Sequence, residues 1–290
     1  MTQSRAQQLT QHLPHTPGVY LFYSEESSTL PLYIGKSIDI KQRVLSHFYQ
    51  MKSHPKEQKL MRRVNTIDYQ TTAGEMGALL LEASLVKKHK PLYNRQLRRC
   101  RQLCYFALNK KTDYFSIECQ RDKLSHFNLD SNHFGWFTSQ KQAIDFIRDL
   151  AKKQQLCLIK LGIDKGRGSC FNYQLGQCRG ACCGQENPAE FNLRLLDLLK
   201  TSQHQTWPFS GAIGVVEKNE LQKMKDVHWI DQWRYINTVS LPLTSPISRP
   251  CELKAIEFDR DHYKIIRHFL KKDNNTDFSI ITADESYAVS

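Results

Sequence analysis

Two short runs dense in aromatic and β-branched residues, Gly18–Tyr23 (GVYLFY) and Pro31–Gly35 (PLYIG), stand close together near the start of the chain. Such runs read as strands, and the polar stretch Ser24–Thr29 between them suits a hairpin loop of about six residues. Pairing centred on that loop sets Tyr20 roughly opposite Tyr33. Opposed residues share a sheet face, so both phenols are expected to point the same way.

The residues that follow extend the hairpin into a small α/β unit. Asp39 is placed to cap a helix in which Ile40, Val44, Leu45 and Phe48 recur at helical spacing, with Lys41, Arg43 and His47 on other faces. A second helix is expected over 55–64 and a strand over 67–72. A strong helix is expected over Gly74–His89, ended by Pro91. The order ββααβα closes near residue 97. Beyond it the sequence predicts strands at 103–108 and 114–118, an amphipathic helix over 139–155, a helix over 188–200, strands after Trp207 and a helix near 260–271. The polar tail after Asp273 is expected to be loose.

Charge narrows the partner. The chain carries 41 Lys and Arg against 29 Asp and Glu, a formal net charge of +12. Between Lys36 and Arg101 there are fifteen basic residues and five acids, so nearly the whole excess lies in one span. A polyanion such as nucleic acid is the natural partner of that concentration. A solvated basic surface is the plainer alternative. No run approaches the roughly 20 apolar residues of a membrane span. The polar start lacks an apolar signal core, so a cytosolic protein without a membrane partner is expected.

One acid stands out. On a helix of about 100° per residue, Glu82 falls within about 60° of Ala78, Leu79, Leu85 and Val86. A lone carboxylate on an apolar stripe is costly, and either a cation or a nearby Lys or Arg would relieve it. Mg²⁺ is commonly held by one or two carboxylates plus waters. A tyrosine with its ordinary pKa near 10 is a poor base. Positive charge from Lys36, Arg43 or a bound cation would lower that pKa and let Tyr33 take a proton from an attacking water. By spacing alone, both tyrosines are better explained as ordinary strand residues.

In order along the chain, Gly18-Val-Tyr20, Tyr33-Ile-Gly35-Lys36, Arg43, Glu82 and Pro91-x-Tyr-Asn94 resemble the signature of the GIY-YIG nucleases. The stretch from Ala73 to Asn94 is similar to the nuclease end of bacterial UvrC, the incising subunit of nucleotide excision repair. The resemblance covers about residues 15–97. It implies Tyr33 as general base and Glu82 as the ligand of one divalent cation, Mg²⁺ or Mn²⁺. Tyr20 would position water or phosphate, Lys36 would tune the site, Arg43 would hold the scissile phosphate, and Asn94 would order its hydrogen bonds. His47 stands where relatives often have Tyr and takes a supporting role. Lys36, Lys41, Arg43, Arg95, Arg98 and Arg99 are the expected DNA contacts.

Nine cysteines, an odd number, argue against a disulfide framework. Cys157, Cys170, Cys178 and Cys182 form a possible ligand set, and thiolates bind Zn²⁺ or iron–sulfur clusters equally. Scattered structural thiols are the alternative. The segment from Cys170 to Cys182 resembles UvrC again, which implies a 4Fe-4S cluster there, with Zn²⁺ as the alternative.

The expected fold class is therefore α+β: a small GIY-YIG α/β nuclease domain over 1–97, a connecting mixed α/β region over 98–155, and a four-cysteine region with a C-terminal domain over 156–290. UvrC continues into a second, RNase H-like nuclease domain, whereas this chain stops at Ser290, which points to the shorter UvrC-like enzymes with one nuclease site. By resemblance it would be a monomer that cuts double-stranded damaged DNA on the 3′ side of a lesion marked by UvrA and UvrB. Two other possibilities are a stand-alone GIY-YIG endonuclease and a non-catalytic iron–sulfur protein that binds DNA or senses redox state.

Overall fold

The computed structural model describes residues 3–25, 28–51, 53–94, 102–123, 132–137, 139–166, 168–200, 207–248, 257–271 and 278–282. Two compact units emerge from the packing: residues 1–99 together with 209–290, and residues 100–208.

The first unit begins with α1 (Gln3–Thr10), a polar helix that sequence reading missed. Strand β1 (Gly18–Tyr23) then pairs antiparallel with β2 (Tyr33–Ser37) on one side and β3 (Thr66–Thr71) on the other. Because side chains alternate across a strand, β1 serves two cores at once. Tyr20 and Phe22 pack with Ile40, Val44, Leu60 and Met61 from α2 (Ile40–Gln50) and α3 (Pro55–Met61). Val19 and Leu21 pack with Val86 of α4 (Glu75–His89) on the opposite face. Asp39 caps α2 by accepting a hydrogen bond from Gln42 N at 2.9 Å. Helix α4 ends with Lys90 in the left-handed region, one residue before Pro91.

The hairpin register differs from expectation by two residues. Tyr33 opposes Phe22, and Tyr20 opposes Gly35. The loop is longer than its polar core, since pairing resumes only at Leu32, whose N–H donates to Phe22 O. A shift of two preserves side-chain parity, so the shared face survives.

The remainder of this unit is a second sheet, in the order β10-β7-β8-β9, formed by β7 (Ile213–Asn219), β8 (Met224–Asp231), β9 (Arg234–Pro242) and β10 (Phe278–Thr282). Strand β10 corrects the expectation of a loose tail: its backbone completes the sheet edge beside β7, and Ile281 is buried there. Helix α8 (Arg260–Leu270) packs on α4. Helix α4 thus has cover from both sheets' sides, which explains why apolar residues run around it rather than along one stripe.

The second unit joins a sheet in the order β5-β4-β6 to helical segments. Its strands are β4 (Gln102–Asn109), β5 (Ser116–Lys123) and β6 (His133–Phe137). Its helices are α5 (Gln140–Lys153), the short α6 (Phe171–Gln174) and α7 (Pro188–Lys200). Phe106, Phe134, Ala143, Ile147, Cys157, Phe191 and Leu195 share one core. The division expected between residues 155 and 156 therefore falls inside a single packed unit, because α5 and the cysteine segment bury their apolar faces against the same strands.

Candidate active site

Strand β2 carries Tyr33 and is held from its outer edge by the segment after Pro91. Asn94 accepts from Ile34 N at 2.9 Å and donates to Ile34 O at 2.7 Å, while Tyr93 N donates to Leu32 O at 3.0 Å. Asn94 thus pairs like a strand residue with the one position between Tyr33 and Gly35. Gly35 has no alternative: a Cβ there would lie 2.3 Å from the Tyr20 hydroxyl. The room that this glycine leaves is taken by Tyr20.

The Tyr20 and Tyr33 rings lie 6.1 Å apart, and the His47 ring is 5.5 Å from the first and 5.7 Å from the second. Tyr20 is 1% exposed, and its hydroxyl is 2.7 Å from His47 Nε2. His47 Nδ1 is 2.8 Å from Glu57 Oε2. Burial lowers the His47 pKa, against the opposing pull of Glu57, so the ring is neutral at pH 7. The neutral ring has one donor and one acceptor nitrogen. A carboxylate can only accept, so Nδ1–H faces Glu57 and Nε2 accepts the Tyr20 proton. Glu57 is a site residue that sequence reading missed. It lies ten residues after His47, in the first turn of a separate helix, and spacing cannot show that packing.

Burial raises the Tyr20 pKa well above its ordinary value, with Tyr33 adding to it and Arg43 opposing it. Burial likewise raises Tyr33, and the Glu82 charge raises it further, while the Tyr20 hydrogen bond and Arg43 pull it down. Without a cation, the basic neighbours therefore do not bring Tyr33 below its ordinary value, contrary to the expectation from charge. Desolvation and two acids, Glu82 and Glu57, outweigh them.

Glu82 reaches the same place from α4. Burial raises its pKa, while the Lys36 backbone N–H and the charges of Lys36 and Arg43 lower it. The Lys36 ammonium is engaged elsewhere, 2.8 Å from Glu75 Oε1. Among the described residues no basic side chain makes an ion pair with Glu82 within 4.0 Å. Its carboxylate, Tyr33, Glu57, Asn94 and the cations Lys56, Lys59 and Arg63 line an open cleft of about 860 Å³. The donor set suits a hard divalent ion: one charged oxygen ligand and open room for waters. Arg43 is exposed and Lys41 half-buried on α2. Arg95, Arg98 and Arg99 lie outside the described residues.

In the second unit, the sulfurs of Cys157, Cys170 and Cys182 all lie within 4.8 Å of one another. Cys178 is buried beside them, its thiol pushed up to about 12 by burial and by the crowding of Cys157 and Cys170. Burial also raises the Cys182 thiol, and thiols of this kind are what a bound cation stabilises as thiolates. A single tetrahedral Zn²⁺ with bonds of about 2.3 Å would set its sulfurs roughly 3.8 Å apart. A cubane binds each cysteine to a different iron and holds the sulfurs further apart. Cys183 makes its own hydrogen bond to Gly180 O at 3.2 Å.

Three family models match successive parts of the chain. Residues 16–95 match the UvrC-like GIY-YIG domain, 103–201 the UvrC/Cho excinuclease middle domain, and 212–285 the excinuclease Cho C-terminal domain. Excinuclease cho of Salmonella typhi is 41% identical over 257 residues, covering 87% of this chain and 82% of the relative. The Escherichia coli K12 protein of the same name is 40% identical over 259 residues, covering 88% and 82%. UvrABC system protein C of Methanococcoides burtonii is 32% identical over 76% of this chain and 35% of its own length. Among solved structures, the magnesium-bound GIY-YIG N-terminal endonuclease domain of Thermotoga maritima UvrC is 27% identical over 33% of this chain and 100% of that domain, with a TM-score of 0.28. The chain belongs to the excinuclease Cho family of UvrC-like GIY-YIG endonucleases.

Proposed function

We propose that this endonuclease hydrolyses a phosphodiester on the 3′ side of a lesion in double-stranded DNA, after UvrA and UvrB have marked the damage. One observation carries the chemistry: Glu82, partly desolvated and without an ion-pair partner among the described residues, shares a cleft with Tyr33 and exerts its charge on both phenols. Glu82 would hold one divalent cation, which when bound polarises the phosphate and stabilises the leaving oxygen. Tyr33, once its phenol has released its own proton to solvent, would accept the proton of the attacking water as the phenolate, a form favoured when the Glu82 charge is compensated. Tyr20, whose hydroxyl donates a hydrogen bond to His47, positions the water or phosphate. Arg43, exposed beside both phenols, binds the scissile phosphate, and Asn94 keeps β2 in register beneath them. The Lys36 backbone N–H orients Glu82, while the Lys36 ammonium pairs with Glu75.

The four cysteines would form a metal centre that clamps the segment from 157 to 182. The convergence of the Cys157, Cys170 and Cys182 sulfurs within 4.8 Å supports a metal centre, with a 4Fe-4S cluster implied by resemblance and Zn²⁺ as the alternative. Metal analysis with an ultraviolet–visible spectrum of anaerobically purified protein separates the two.

The middle and C-terminal matches weigh against a stand-alone GIY-YIG enzyme, and the complete Tyr20, Tyr33, Arg43 and Glu82 set weighs against a non-catalytic DNA-binding protein. The test is incision of a duplex with one defined lesion, with and without UvrA, UvrB and Mg²⁺ or Mn²⁺. Cutting 3′ of the lesion only when all are present supports this function. Equal cutting of undamaged duplex without UvrA and UvrB overturns it.

A further inference from the structure

Helix α4 carries Glu82, yet its own sequence leaves its start uncapped. Gly74 stands at the N-cap and supplies no side-chain acceptor. The first N–H groups of a helix have no partner within it and must find one elsewhere. Here they find it about 140 residues later in the chain. Met76 N donates to Glu217 Oε1 at 2.9 Å, and Gly77 N donates to Glu217 Oε2 at 2.7 Å. Ala73 N, just ahead of the helix, donates to Asp226 Oδ2 at 2.7 Å.

Both carboxylates are buried and fixed from behind. His228 Nε2 lies 2.9 Å from Glu217 Oε2, and its Nδ1 lies 2.8 Å from Thr238 Oγ1. Ser240 Oγ donates to Asp226 Oδ1 at 2.6 Å. The contact permits no slack. A Cβ on Gly74 would lie 2.4 Å from Glu217 Oε1, and one on Gly77 would lie 3.1 Å from His228 Cε1. Further along the helix, Lys87 pairs with Asp259 and with Asp261, the latter at 3.1 Å, and Ser84 Oγ lies 3.2 Å from His262 Nε2. The helix is therefore gripped near both ends by residues of 217–262. Glu82 projects from the turn between the two grips, about 7.5 Å along the axis from Gly77 at roughly 1.5 Å per residue.

We propose that Glu217 and Asp226 are positioning residues of the nuclease site. By capping α4 from the β7–β8 ribbon they set its axial position and rotation, and so set where the Glu82 carboxylate meets Tyr33 and a divalent cation. The C-terminal sheet is then a working part of the active site rather than an appended module. This rests on Glu82 as the cation ligand, and the experiment keeps the two ideas apart.

The test measures Mn²⁺ binding to the full chain without DNA, by electron paramagnetic resonance, in wild type, Glu82→Gln, Glu217→Ala, Glu217→Gln and Asp226→Asn. Val239→Ala, which loosens the same sheet away from α4, serves as the control for stability alone. Loss of support behind a metal ligand costs about ten- to hundredfold in affinity, and Glu217→Ala is expected in that range. Glu217→Gln and Asp226→Asn should weaken binding at least about threefold by the same reasoning, and they carry the test if the alanine variant does not fold. Val239→Ala should leave Mn²⁺ affinity unchanged despite a lower Tm. Unchanged affinity in Glu217→Gln and Asp226→Asn, alongside weakened binding in Glu82→Gln, overturns the positioning role alone. Unchanged affinity in Glu82→Gln overturns the ligand assignment beneath it.

Discussion

The Tyr20 hydroxyl donates to His47 Nε2 across 2.7 Å in the interior of the nuclease unit, and Glu57 accepts from the other side of the same ring at 2.8 Å. This chain fixes which phenol keeps its proton. Glu57 orients the imidazole, the imidazole holds the Tyr20 hydrogen, and the Tyr20 oxygen keeps its lone pairs for Arg43 and water. Among the described residues no histidine hydrogen-bonds Tyr33 in the same way, and its phenolate is the one able to take up a proton.

Glu57→Ala should therefore slow incision by about ten- to hundredfold without weakening DNA binding, since an orienting partner is lost and no phosphate contact is. Glu57→Gln, which keeps an acceptor oxygen, should recover most of the rate. Single-turnover incision of a lesion duplex measures both. Equal rates in wild type and Glu57→Ala would remove Glu57 from the site.

The pH dependence has a definite sign. Burial and Glu82 place Tyr33 above its ordinary pKa, so its basic form is scarce at neutral pH and grows about tenfold per unit as pH rises. At saturating Mg²⁺ the incision rate should climb through the neutral and mildly alkaline range. Tyr33→Phe should lose both the rate and the slope. A flat profile from pH 6.5 to 9 in wild type would contradict Tyr33 as base.

Glu82 makes a complementary prediction about stability. Its pKa in the folded chain is raised by burial above the ordinary value near 4.5. A raised acid favours the folded state below its unfolded pKa, and that contribution is lost as pH rises through the folded pKa. At pH 7 without divalent cation, Glu82→Gln should accordingly melt higher than wild type. Adding Mg²⁺ should raise the Tm of wild type and leave that of the variant in place. Calorimetry in chelator and in Mg²⁺ gives both numbers, and a lower Tm for Glu82→Gln in chelator contradicts a half-buried carboxylate without an ion-pair partner among the described residues.

These residues show where sequence was readable. Tyr20 and Tyr33 were assigned one face even though the register was misjudged, because an error of two residues leaves parity intact. Asp39, Pro91 and the apolar spacing of α2 and α4 are local signals, and each marked its element. Helix α1 offered no such signal: its residues are polar, and it is held by Leu9 against the α2 side of the core. Strand β10 was hidden because its partner β7 lies more than sixty residues earlier. Glu57, Glu217 and Asp226 were invisible for the same physical reason, since their partners are chosen by packing over distances in sequence that no periodicity spans.

DNA affinity should fall steeply with salt, because the cleft rim adds Lys56, Lys59 and Arg63 to the expected contacts. Each of these three changed to Ala should reduce the slope of log affinity against log salt by about one. The intrinsic rate at saturating DNA should stay near that of wild type. A salt-independent affinity would reject a phosphate-binding rim.

The central claim is that one acid on α4 holds a divalent cation beside Tyr33, and incision by Glu82→Ala tests it most directly. The assay pairs strand cutting at saturating Mg²⁺ with binding of the same lesion duplex. The account predicts that cutting falls by at least about a thousandfold, as for loss of a main source of transition-state charge stabilisation, with binding intact. Cutting by Glu82→Ala at the wild-type rate would contradict it.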